Sequence, residues 1–76
     1  MSINYPEYFY FNIYHVEDDT FMGCVRIEFI PMNCIPPSVR ARNVASAKFK
    51  EDYENFDAIM STEEMWNQFK IDTWQE

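Results

Sequence analysis

The sequence predicts an α+β fold: a three-stranded antiparallel sheet, with a fourth short strand as an alternative, and one or two helices packed on one face. Three observations lead there. Apolar and aromatic residues alternate through most of the first 30 positions, as strands require. Beyond residue 43 the apolar spacing changes to three and four, as helices require. Finally, two Trp, five Tyr and seven Phe against a single glycine in 76 residues can build a dense core in a small chain. A chain this short forms one domain, residues 1–76, and removes only about 60% of its unfolded surface from water.

Residues 8–16 read as the first strand, with Phe9, Phe11 and Ile13 on one face and Tyr8, Tyr10, Asn12 and Tyr14 on the other. The polar group Glu17, Asp18, Asp19 and Thr20 makes a hairpin turn. Residues 21–30 return as the second strand, placing Phe21, Gly23, Val25, Ile27 and Phe29 opposite Arg26 and Glu28. Burying the phenylalanine face leaves a half-solvated face of tyrosines beside an arginine and a glutamate. Pro31 ends this strand, and Pro36 and Pro37 stiffen the connection.

Residues 38–42 alternate and read as a short third strand, which would cover more of the aromatic face; the alternative starts a helix at Pro37. Asn43 stands where an N-cap belongs, ahead of a helix over 44–56 carrying Ala45, Phe49, Tyr53 and Phe56. Residues 56–60 fit either the end of that helix or a short strand. Ser61 and Glu64 match a capping box for a last helix reaching about Thr73, with Met65, Trp66 and Phe69 inward. With no glycine after either helix, both are expected to fray or to stop by tertiary contact. The expected core is Phe9, Phe11, Ile13, Val25, Ile27, Phe29, Val44, Phe49, Phe56, Met65, Trp66 and Phe69.

No pattern names a reaction, and the expectation is a non-enzyme without cofactor or metal. His15 is the single histidine, so a catalytic pair with Cys24 or Cys34, or a metal site on those three, lacks supporting spacing. The turn acids lack a calcium-loop arrangement, and one glycine cannot form a phosphate cradle. Cys24 and Cys34 form no C-x-x-C pair, and the thiols are expected to be dispensable for folding. The opening residues lack a basic region followed by an apolar run, and no stretch approaches about 18 apolar residues. The expected location is the cytoplasm.

Charge is the remaining signal. The formal net charge is −7, and its placement is uneven. Arg40, Arg42, Lys48 and Lys50 stand without an acid in residues 38–50, whereas residues 51–76 hold eight acids and Lys70. Tyrosines beside those cations suggest a nucleic-acid platform, but the acids repel phosphate, and Lys48 and Lys50 can pair with Glu51, Asp52 and Glu54 along a helix. Direct nucleic-acid binding is not expected.

The expected partner-binding residues are Glu51, Asp52, Glu54, Asp57, Glu63, Glu64 and Asp72, because carboxylates on rigid elements can imitate the spacing of phosphates. In size, acidity and aromatic content the chain resembles the small acidic phage proteins that inhibit bacterial defence or host machinery, among them anti-CRISPR proteins and DNA mimics. The basic stretch 38–50 departs from that pattern. The resemblance implies an inhibitor that occupies a basic, nucleic-acid-binding surface of a bacterial protein in the host cytoplasm. The alternative is a small adaptor that binds through Tyr8, Tyr10 and Tyr14, with the acids only solubilising.

Overall fold

The computed structural model describes residues 8–29 and 34–71. Its elements are β1 (Tyr8–His15), β2 (Thr20–Glu28), α1 (Pro37–Phe49), β3 (Phe56–Met60) and α2 (Glu63–Phe69), with a 3-10 turn at Tyr53–Asn55. The strands form an antiparallel sheet in the order β2-β1-β3, and both helices pack on it. The α+β class holds. The ends expected at Ile30, Pro31 and Thr73 lie outside the described residues.

The hairpin forms because each strand offers its apolar face in register. Phe9 pairs with Ile27, Phe11 with Val25 and Ile13 with Gly23. At the turn, Asp19 adopts a left-handed φ of 58° and its N–H reaches the His15 carbonyl at 2.8 Å. Aspartate tolerates that region because its short polar side chain bonds locally.

Beyond Ile13 the register shifts, and Tyr14 pairs with Phe21. Met22 is the extra residue of this bulge, so the alternation of β2 reverses there. Met22 therefore packs on the main core, while Phe21, expected beside Val25, meets Tyr14 and Phe69 on the other face. Gly23, at φ 134°, makes the bulge possible.

Residues 38–42 are helical, against the expectation of a third strand there. Pro37 occupies the first helical turn, where its missing N–H costs nothing, and the Pro36 carbonyl accepts from Val39 and Arg40. Ala41 and Ala45, four apart, are fully buried against the sheet. Val39 is the lone β-branched residue in 38–42, and Arg and Ala favour helix. Asn43 is thus mid-helix and not an N-cap.

The helix stops at Phe49 and does not reach Phe56. Lys50 takes the left-handed conformation (φ 59°), and the N–H groups of Lys50 and Glu51 both reach the Ser46 carbonyl. The Ser46 hydroxyl donates back to the Glu51 carbonyl. This end is a local cap made without glycine, against the expectation of fraying or of a stop by tertiary contact. Lys50→Gly should therefore raise stability by about 0.5–1 kcal/mol, since glycine adopts positive φ without steric cost. Urea unfolding of the variant checks this.

β3 supplies the third strand, pairing with β1 from Phe11↔Met60 to His15↔Phe56. The core cluster is Phe11, Ile13, Val25, Ile27, Ala41, Ala45 and Phe56, between α1 and one sheet face. Phe9, Val44 and Phe49 pack against it half-buried.

The second helix begins one residue later than the capping box predicts. The Ser61 N–H still belongs to the sheet, bonding to the Tyr10 carbonyl at 2.7 Å. Thr62 is the N-cap instead, its Oγ1 accepting from Met65 N–H at 3.2 Å. α2 ends where tertiary pairing takes over: Lys70 bridges to Cys24 in parallel, and Ile71 N–H reaches the Cys24 carbonyl at 3.0 Å.

Trp66 contacts Tyr10 and Arg26, and Phe69 contacts Phe21, so α2 lies against the tyrosine face. Each sheet face carries one helix, α1 on the phenylalanine face and α2 on the tyrosine face, against the expectation of helices on one face only. The tyrosine face is consequently more covered than the sequence suggests, and Cys24 on it is fully buried. Phe69, expected inside, is 43% exposed, while Phe29 and Met65 are half-buried. Asn12, opposite Cys24, buries its Oδ1 without a hydrogen-bond partner among the described residues.

Candidate functional site

Six of the seven expected binding carboxylates are described, and all six are exposed; Asp72 lies outside the described residues. They do not share one helix. Glu51 and Asp52 follow the α1 cap, Glu54 sits in the 3-10 turn, and Asp57 is on β3. Glu63 and Glu64 open α2, where the helix dipole favours negative charge. Because α1 ends at Phe49, the expected helical pairs of Lys48 and Lys50 with these acids have no scaffold. Among the described residues neither lysine makes an ion pair.

The other cations engage the fold's own carbonyls and rings. Arg40 Nη1 donates to the Glu28 carbonyl at 2.7 Å. Arg42 Nε donates to the Phe56 carbonyl at 2.8 Å, and its guanidinium lies 4.7 Å from the Tyr53 ring centroid. Arg26 stacks on both Tyr8 and Trp66, at 4.2 and 4.3 Å, and the Lys70 ammonium stands 4.5 Å from the Trp66 ring. Such stacks hold a cation against an aromatic face without neutralising a carboxylate.

Two carboxylates face the His15 ring. Its Nε2 lies 3.1 Å from Glu51 Oε1, and its Nδ1 lies 3.9 Å from Asp18 Oδ1. Its ring meets the edge of buried Phe56. Both ring nitrogens thus face carboxylates, whereas Cys24 sits opposite Asn12 with its thiol directed at the Val25 carbonyl. The two are not arranged as a catalytic pair. Cys24 and Cys34 are free thiols, buried and exposed respectively. Among the described residues no three His, Cys, Asp or Glu side chains are grouped to hold a metal.

The hydrogen bond from His15, then that from Asn55, holds the Glu51 carboxyl below its ordinary value of 4.5. Bonds from the Thr20 side chain and N–H lower Asp18 below 3.8. A carboxyl lowered on folding stabilises the fold above its unfolded value, and that contribution is lost as pH falls through the lowered folded value. Glu51→Gln should therefore reduce stability at pH 7, and its deficit against wild type should close on acidification below 4.5. Urea unfolding at pH 7, 5 and 3 gives the comparison.

Tyr8, Tyr10 and Tyr14, the alternative binding residues, are half-buried and occupied. Tyr8 packs on Arg26, Tyr10 on Trp66 and Tyr14 on Phe21. Burial first, and the nearby Glu63 carboxylate second, raise the Tyr10 phenol above its ordinary value. The cations of α1 lie over the opposite sheet face, so Tyr8, Tyr10 and Tyr14 do not join the basic residues of α1 in one platform.

Sequence reasoning missed the exposed apolar side chains of β3, Ile59 and Met60, which are 53% and 68% exposed. The unresolved choice between helix and strand at 56–60 concealed them. No helix among the described residues is long and apolar enough to cross a membrane. Comparison with protein-family models, curated proteins and solved structures returns no match.

Proposed function

We propose that this chain is a non-catalytic inhibitor that occupies a basic, nucleic-acid-binding surface of a bacterial protein, acting in the host cytoplasm as small acidic phage proteins do. One observation carries the reading. Four of the six cations contact carbonyls or aromatic rings of the chain, leaving Asp52, Glu54, Asp57, Glu63 and Glu64 exposed without a Lys or Arg ion pair among the described residues. These carboxylates lie on a cap, a turn, a strand and a helix start that the sheet holds together. Uncompensated charge on a firm scaffold steers a basic partner and competes with phosphate.

Capture of partners from bacterial lysate at low and high salt, read by mass spectrometry, tests this. The expected partner is a nucleic-acid-binding protein that is lost at high salt and displaced by its own nucleic acid. Converting Glu51, Asp52, Glu54 and Asp57 to amides should weaken binding on the order of tenfold or more with the fold retained. The set Glu63, Glu64 and Asp72 should act likewise. Binding that survives high salt and both amide sets, yet fails when Tyr8, Tyr10 and Tyr14 become Ser, would sink this reading in favour of an adaptor.

A further inference from the structure

We propose that the outer edge of β3, at Ala58 and Met60, accepts an extended basic segment of the partner as a fourth strand. The proposal rests on the reading above that the partner is basic, and it adds the backbone geometry through which that partner is held.

The two edges of the sheet differ. The outer edge of β2 is covered at Cys24 by Lys70 and Ile71, and Arg40 takes the Glu28 carbonyl. At either end of β3, the Asn55 carbonyl accepts from Val16 N–H and the Ser61 N–H donates to the Tyr10 carbonyl, both inward. By alternation Ala58 and Met60 turn their N–H and C=O groups outward. Side chains guard part of that edge: Arg42 holds the Phe56 carbonyl and Asp57 Oδ1 accepts from Ala58 N–H at 3.0 Å. Arg42 sets the limit of strand addition on one side, leaving Ala58 and Met60 as the length available.

Ile59 and Met60 point to opposite faces of β3 and are both largely exposed. An added strand would cover both at once, which a helix laid on one face would not. Charge selects the occupant. A second copy paired antiparallel at Ile59 would set Asp57 of each chain opposite Ser61 of the other, two residues before Glu63 and three before Glu64, so acids would gather at both ends of the pairing. A strand bearing Lys or Arg meets the same carboxylates favourably. A cation beside Asp57 also draws its carboxylate away from Ala58 N–H, releasing that donor to the new ladder.

The probe is a blocked heptapeptide alternating lysine and valine, with the same peptide N-methylated at alternate bonds as control. Binding and amide hydrogen exchange are followed by NMR at low salt. The lysine peptide should slow exchange at Ala58 and Met60 by about tenfold or more, and N-methylation should abolish this. Met60→Pro removes an outward N–H and should weaken the peptide by about tenfold; the N-methylated control decides the matter if that variant folds poorly. Equal binding of both peptides without protection at Ala58 and Met60 would overturn the strand while leaving the acidic face as the binding surface. No binding of either would count against both. Protection at Ala58 and Met60 that rises with protein concentration alone would assign the edge to a second copy and overturn the proposal.

Discussion

Gly23→Ala is expected to remove about half of the stability of this domain. Gly23 sits at φ 134°, a region L side chains rarely adopt, inside the bulge that shifts the register between Ile13 and Tyr14. An added methyl would also run into the Ile71 side chain and press on the Phe69 carbonyl 3.0 Å away. Backbone strain there costs about 1–3 kcal/mol, and the overpacking costs about another 1–3. A chain of this length holds roughly 4–11 kcal/mol in all. Relief requires moving Ile71, which would break its bond to the Cys24 carbonyl and uncover the β2 edge. Denaturant unfolding with exchange at Ile71 measures both effects. A midpoint near wild type would show that the bulge tolerates a side chain.

Phe56→Ala should cost about 3–5 kcal/mol, the usual range for emptying a buried aromatic site. Phe56 is fully buried, packed between Phe49 at 5.7 Å and the His15 ring at 5.7 Å. Phe11→Ala, at 5% exposure, should behave similarly. Phe69→Ala should cost far less, because that ring is nearly half exposed and mainly meets Phe21. Thermal unfolding of the three variants orders them. Equal losses at Phe56 and Phe69 would contradict the assignment of Phe56 to the core strand.

The hairpin was legible because its evidence is local. Phe9, Phe11 and Ile13 declare a face by period two, and Val25 and Ile27 answer it in the antiparallel register. The acidic surplus was also legible, since carboxylates without partners stay in water. The bulge was not, because the shift at Met22 reverses the faces while leaving the sequence alternation apparently intact.

Residues 38–60 were ambiguous for a different reason. Short segments such as 38–42 and 56–60 fit two periods equally, and the choice depends on which one the β1 edge recruits. Once Phe56–Met60 pairs with β1, residues 38–42 are free to be helical, and the acids at 51–57 fall on a cap, a turn and an edge strand. The same pairing exposes Ile59 and Met60. The chain by itself determined a phenylalanine-faced hairpin and a strongly acidic final third. Tertiary structure decided the third strand, the helix over each face and the open edge, because those depend on long-range backbone pairing that no local pattern encodes.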